Sequence, residues 1–219
     1  DKEAELTTFV NYCNTNKIPE VILGPGMFNL DAALPAWTYP VKITGTKGQG
    51  SSANAPTTLN KRYVEASVMA GVLAFSDWGF ILEDINIQAT TAASGGSGVS
   101  AILSTTSPAA SRTYLNRVRI SVAEDCNYSL YINGQANTTG GGPGYRGTYI
   151  SDCEFFGAKN ASVNLNGVHH LFVTGTFLAT SGVGASTIAL QVDGTATVYN
   201  DDIQWHGIIS GAVNLNRVE

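Results

Sequence analysis

The strongest constraint on this chain is a pattern that it writes several times. An aliphatic or similar apolar residue is followed by another three places on and a third two places after that. Ile150, Cys153 and Phe155 carry it in the segment 148–157, Leu115, Val118 and Ile120 repeat it 35 residues earlier, and Leu82, Ile85 and Ile87 repeat it 33 residues before that. Phe172, Gly175 and Phe177 read as a weaker fourth copy, and Asn200, Ile203 and Trp205 match a fifth in their last two places. Repeats of roughly this length, each too short to bury a core alone, point to a solenoid.

A second series keeps phase with the first. Leu130, Ile132, Asn133 and Gly134 match Val163, Leu165, Asn166 and Gly167, then Leu190, Val192, Asp193 and Gly194, then Val213, Leu215 and Asn216. Each set is two apolar residues alternating with a polar one, closed by Asn or Asp and usually Gly, which is a short strand running into a turn. Stacked windings would lie about 4.8 Å apart, placing equivalent side chains over one another in columns. The odd spacing between the first and second apolar positions would send them to opposite faces of a flat strand, so a corner is expected between them. The fold expected is all-β: one single-stranded, right-handed parallel β-helix spanning 1–219, with a capping helix at 1–17 and coils over 20–219. The chain is expected to be a piece of a longer protein.

Composition agrees and narrows the partners. Only 13% of residues are charged while glycine numbers 24, a mix suited to strands, turns and uncharged polar columns. A net charge of −5 without a Lys/Arg cluster disfavours nucleic acid or an anionic membrane as partner. No apolar run is long enough to insert in a bilayer. Cys153 occupies an apolar column and is expected as a buried thiol; Cys13 and Cys126 show no metal-ligand spacing, and no disulfide framework, metal or cofactor is expected.

Along the chain, 1–16 reads as a helix whose Leu6, Phe9, Val10 and Cys13 form one apolar face over the end of the coils. Residues 51–62 read as a polar loop and 64–76 as a coil burying Val72 and Phe75. Segments 90–98 and 135–147 read as corner insertions; the second contains a glycine cluster without the Lys-Ser/Thr of a phosphate-binding loop.

The opening order is a short helix, the strand of Val21-Ile-Leu, a Pro25-Gly26 turn, Phe28 and Leu30, then Val41-Lys-Ile-Thr-Gly45. It resembles the pectate-lyase-like right-handed β-helix superfamily, and within it the tailspike proteins of tailed bacteriophages. The resemblance implies a bacterial surface polysaccharide as partner, bound and depolymerised by a glycoside hydrolase or, second, a lyase. It further implies a homotrimer, contact with other virion tail proteins, and a place on the virion tail or outside the cell. The alternative is a non-enzymatic structural or adhesive β-helix module.

Chemistry is expected on outward columns, where polar ladders beside aromatic rings suit sugars. Asn86, Arg119, Glu154, Thr176 and Gln204 fall between apolar positions of the first series, and Tyr114, Tyr149 and Tyr131 lie close by. Arg119, Asn86, the three tyrosines and Gln204 are therefore the expected substrate contacts. Glycoside hydrolysis needs two carboxyls flanking the bond. Glu154 and Asp152, two residues apart, are the first candidates, followed by Asp84 and Asp202 at equivalent corners. A lyase would need a base, for which His169-His170 and Lys159 are available.

Overall fold

A computed structural model describes residues 2–47, 56–63, 71–76, 79–89, 100–106, 112–122, 126–134, 145–166, 168–180, 188–193 and 201–216. Helix α1 (Lys2–Asn16) comes first, with Glu3 and Glu5 in its opening turn, where the helix dipole favours acid. Lys17 takes a left-handed φ of 52°, and the Ile18 amide bonds back to the Cys13 carbonyl, which ends the helix. Leu6, Val10 and Cys13 are buried in the core while Phe9 points outward, so the apolar face is narrower than expected. Asn14 ties the helix to the first winding through the Ala36 carbonyl and the Thr38 amide.

The strands follow in windings. β1 (Glu20–Ile22) and β2 (Gly26–Leu30) begin the solenoid. Next come β3 (Val41–Thr44), β4 (Thr57–Lys61) and β5 (Gly71–Phe75), then β6 (Phe80–Glu83), β7 (Ile85–Ala89) and β8 (Ser100–Thr106). β9 (Thr113–Asn116), β10 (Arg119–Ser121) and β11 (Tyr128–Gly134) lie above them, followed by β12 (Tyr145–Ser151), β13 (Glu154–Phe156) and β14 (Ala161–Asn166). β15 (Val168–Ala179) with β16 (Ile188–Asp193), and β17 (Asp201–Ser210) with β18 (Ala212–Leu215), complete the stack. Every pairing between these strands is parallel, in a twelve-stranded and a six-stranded sheet. The larger sheet is two faces joined where β15 and β17 run round the corner. The result is a parallel β-solenoid with a single N-terminal helix.

Its core is three columns. Ile43, Leu82, Leu115, Ile150, Val173 and Trp205 are partners rung by rung on the first face. Leu59, Ile87, Ile120, Phe155, Leu178 and Ile209 do the same on the second. Leu73, Ile102, Leu130, Val163 and Leu190 form the third, in the register of the second sequence series, and Val213 continues it as an exposed rung. The fourth copy of the first series is thus Val173, Thr176 and Leu178, one residue on from the expected Phe172, Gly175 and Phe177. Thr176 fills a core position because its hydroxyl is satisfied there, donating to the Thr174 carbonyl at 3.0 Å and accepting from the Cys153 amide. The fifth copy is displaced as well: Trp205 takes the first place and Ile209 the third.

The corner inferred from the odd spacing is a single residue. Asp84, Arg117 and Asp152 have φ of 55°, 53° and 52°, and Gly175 has 58°. Their amides donate upward to the next winding: Asp84 to the Asn116 carbonyl, Arg117 to Ser151 and Asp152 to Thr174, at 3.0–3.1 Å.

Residues 57–61, expected in a loop, are strand β4. Their polar side chains find partners inside: the Thr57 hydroxyl donates to the Leu23 and Gly24 carbonyls, Asn60 to Asn29, and the buried Lys61 Nζ to the Tyr63 carbonyl. Leu59 alone carries the core contact of that segment. Val72 and Phe75 are buried as expected. The expected insertion 90–98 lies outside the described residues, as do 135–144 of the second; 145–147 already belong to β12. The three cysteines are free and buried, and burial pushes the Cys153 thiol up to about 12.

Candidate functional site

The first face carries an outward column of Lys42, Ile81, Tyr114, Tyr149, Phe172 and Gln204. Three of these are aromatic and stack. Tyr114 and Tyr149 lie 4.8 Å apart at 7°, and Tyr149 and Phe172 lie 5.4 Å apart at 10°. Each of these aromatics stands one residue before the first apolar position of its repeat, so strand alternation sends it outward. Beside them runs an edge column of Glu83, Asn116, Ser151, Thr174 and His206. The Ser151 hydroxyl donates to Asn116 Oδ1 at 3.3 Å.

Two clefts open along this face and share Ile81 and Tyr114. One of about 260 Å³ is bounded by Glu83, Asn116, Tyr149 and Ser151. The other, of about 400 Å³, lies lower and is bounded by Pro40, Lys42 and Arg112. Lys42 is engaged by Glu83 at 3.1 Å and Glu20 at 3.5 Å, and the Glu83 carboxylate holds its ammonium above the usual lysine range.

The corner column of Asp84, Arg117, Asp152 and Gly175 borders the groove. Arg117 grips Asp84 with two parallel bonds, Nε to Oδ1 at 2.6 Å and Nη2 to Oδ2 at 2.8 Å. This pairing holds the Asp84 carboxyl below its ordinary range against the opposing effect of burial. Asp84 is therefore a fixed anion rather than a proton donor. Asp152, one winding above Arg117, is exposed and forms no side-chain hydrogen bond or ion pair among the described residues. Gly175 is the next corner residue; a Cβ there would collide with Asp152 Oδ1.

Round the corner, Asn86, Arg119 and Glu154 are successive rungs of one column, continued by Phe177 and Ile208. Arg119 Nε lies 3.1 Å from Glu154 Oε2 and its guanidinium stands over the Phe156 ring. Asp152 and Glu154 are not alternate residues of one strand, because the chain turns at Asp152 and β13 begins at Glu154. The two carboxyls belong to adjoining faces. Thr176 and Gln204, expected between apolar positions, are displaced by the register shift: Thr176 is buried, and Gln204 sits above Phe172.

The remaining candidates separate. Tyr131 lies on the third face in a column with Leu103, Asn164 and Gln191, tilted against Tyr128, and burial raises its phenol. Asp202 lies at the far edge of the first face, with its Oδ2 2.5 Å from His170 Nδ1 and its Oδ1 accepting from Gln204. His170 and Asp202 both have left-handed φ, 56° and 48°. The structure thus gathers Tyr114, Tyr149 and Gln204 in one column, Asn86, Arg119 and Glu154 in another, and Asp84 and Asp152 on the corner between. Phe172 and Arg112 belong to the groove and were not expected there. Phe172 betrays itself only by standing 23 residues after Tyr149, as Tyr149 stands 35 after Tyr114.

Among the described residues no three His, Cys, Asp or Glu side chains converge as a metal site, and no helix is long and apolar enough to cross a membrane. No family model, curated protein or solved structure matches this chain.

Proposed function

We propose that the first face and its bordering corner bind a bacterial surface polysaccharide, and that Asp152 and Glu154 cleave it. The observation that carries this reading is the groove itself: a stack of aromatic rings running with the solenoid axis, edged by Asn116 and Ser151 and bordered by Asp152, which forms no side-chain hydrogen bond or ion pair among the described residues. Sugars present apolar C–H patches on their ring faces and hydroxyls around them, which such a surface matches. In this reading Asp152 transfers the proton, and Glu154 is the second carboxyl that glycoside hydrolysis requires. The likeness of the opening strands to phage tailspikes adds the biological setting: a receptor-binding homotrimer on a virion tail or another extracellular surface, in contact with other tail proteins.

The test is incubation of the purified protein with a panel of bacterial surface polysaccharides, followed by sizing of the products. Shortening of one glycan is expected, with the loss of product in both Asp152→Asn and Glu154→Gln. Cleavage at the parental rate by both variants removes the site assignment. A binding-only module is the second reading, favoured by one specific feature: Asp84, Glu154 and Asp202 each already face a basic side chain. It predicts that a glycan is retained with its length unchanged.

A further inference from the structure

A stacked column covers both faces of its inner rings and leaves a face open only at its ends. Tyr149 has a ring against each face. Tyr114 has Tyr149 above it, but below it the column passes to Ile81 and then Lys42. Ile81 is shorter than a tyrosine, and the cleft of about 400 Å³ opens at this step. Its size falls within the range of small-ligand sites, roughly 300–1,000 Å³.

The charged residues that line this cleft are Lys42 and Arg112. Lys42 is committed to Glu83 and Glu20. Arg112 is exposed, lines the same cleft and forms no ion pair among the described residues. Its backbone is held by the crossing of Gly79, where a Cβ would run into the Arg112 carbonyl and amide. Only glycine lets two segments pass so closely. Gly147 lies on the other side, with its Cβ direction toward the Arg112 Cγ and the Tyr149 ring. Arg112 is thus positioned against the aromatic stack by backbone packing, with its guanidinium in no ion pair among the described residues.

We infer that this cleft is a subsite for one anionic sugar residue, its ring against the lower face of Tyr114 and its acid group on Arg112. The inference rests on the glycan-binding reading of the first face and adds the chemistry of the ligand. A guanidinium fork matches the oxygens of a carboxylate or a phosphate, and both sources satisfy the same geometry. A neutral sugar gains only the stacking contact. The chain as a whole carries −5, so recognition of an anion relies on this local cation and weakens as salt screens it.

The experiment is ligand-observed NMR titration of the whole chain with methyl β-glucuronoside, glucose 6-phosphate, methyl β-glucoside and inorganic phosphate. At least one of the two acidic sugars is expected to bind about tenfold more tightly than the glucoside, since charged hydrogen bonds are stronger than neutral ones. Which one does so identifies carboxylate or phosphate as the acid. Arg112→Gln, a change at an exposed side chain, should reduce the acidic sugar to the level of the glucoside and leave the glucoside unchanged. Tyr114→Leu should weaken both sugars. The inference is overturned if neither acid exceeds the glucoside, if Arg112→Gln changes nothing, or if inorganic phosphate binds as tightly as the phosphorylated sugar. Retention of a polysaccharide in any of those cases leaves the broader reading intact, whereas loss of all glycan binding removes both.

Discussion

The corner column and the aromatic ladder are built by the same stacking and do opposite things within themselves. Along the corner, Asp84 and Arg117 satisfy each other across one winding, and the series then reaches Asp152, whose upper neighbour is a glycine without a side chain. Along the ladder, Tyr149 is covered from both sides, and the series breaks off below Tyr114 at an isoleucine. In both, inner rungs engage neighbours on two sides and the end rung keeps something to offer, a carboxylate in one and a ring face in the other, although Tyr149 as a whole stays 38% exposed. Repetition builds the scaffold, and its interruption makes the candidate site.

This contrast can be broken first on the ladder. Tyr149→Ala removes two ring contacts and should cost about 2–3 kcal/mol, with Tyr114→Ala, which removes one, costing about half as much. Urea unfolding of the two variants measures the difference, and equal losses would mean that the rings do not act as a stack. The corner comes next. Arg117→Met strands the Asp84 carboxylate, only 13% exposed, and should cost about 1–3 kcal/mol, whereas Asp152→Asn should stay within about 0.5 kcal/mol of the parent. A large loss for Asp152→Asn would make it a structural corner residue like Asp84.

The smallest effect is in pH. The folded pKa of Asp84 lies below its unfolded value near 3.9, so the stabilisation by Arg117 is complete above that value. It fades as acid takes the solution down through the lowered folded pKa. Between neutral pH and about pH 5 the stability gap between the parent and Asp84→Asn should be constant, and it should close below about pH 4. A gap that persists into stronger acid would contradict the pairing.

How far the sequence could be read differed between faces for a physical reason. The third face was legible from Leu130 upward, because Leu130, Val163, Leu190 and Val213 are flanked by polar residues and turn signals, while Leu73 and Ile102 of the same column were missed. The first face was legible only while its outward residues were polar or its inward ones aliphatic. At Phe172–Phe177 both conditions fail: the outward residues are aromatic and Thr176 occupies the core with its hydroxyl satisfied. A pattern of hydropathy alone then places the frame one residue early. Gln204 was misplaced for the same reason, and Phe172 was hidden among core positions. Strand β4 escaped because Thr57, Asn60 and Lys61 satisfy their polar groups internally, which composition does not reveal. That Asp84 and Asp152 occupy equivalent corners followed from the register, but the pairing of Asp84 with Arg117 and the place of Gly175 above Asp152 needed coordinates.

The most direct test of the account is the affinity of Tyr114→Ala and Tyr149→Ala for a polysaccharide retained by the parent protein, measured on folded molecules at equal salt. If ligand meets the end of the stack, Tyr114→Ala should lose about tenfold in affinity while Tyr149→Ala loses much less. The reverse order would contradict it, since the inner ring would then be the one in contact with sugar.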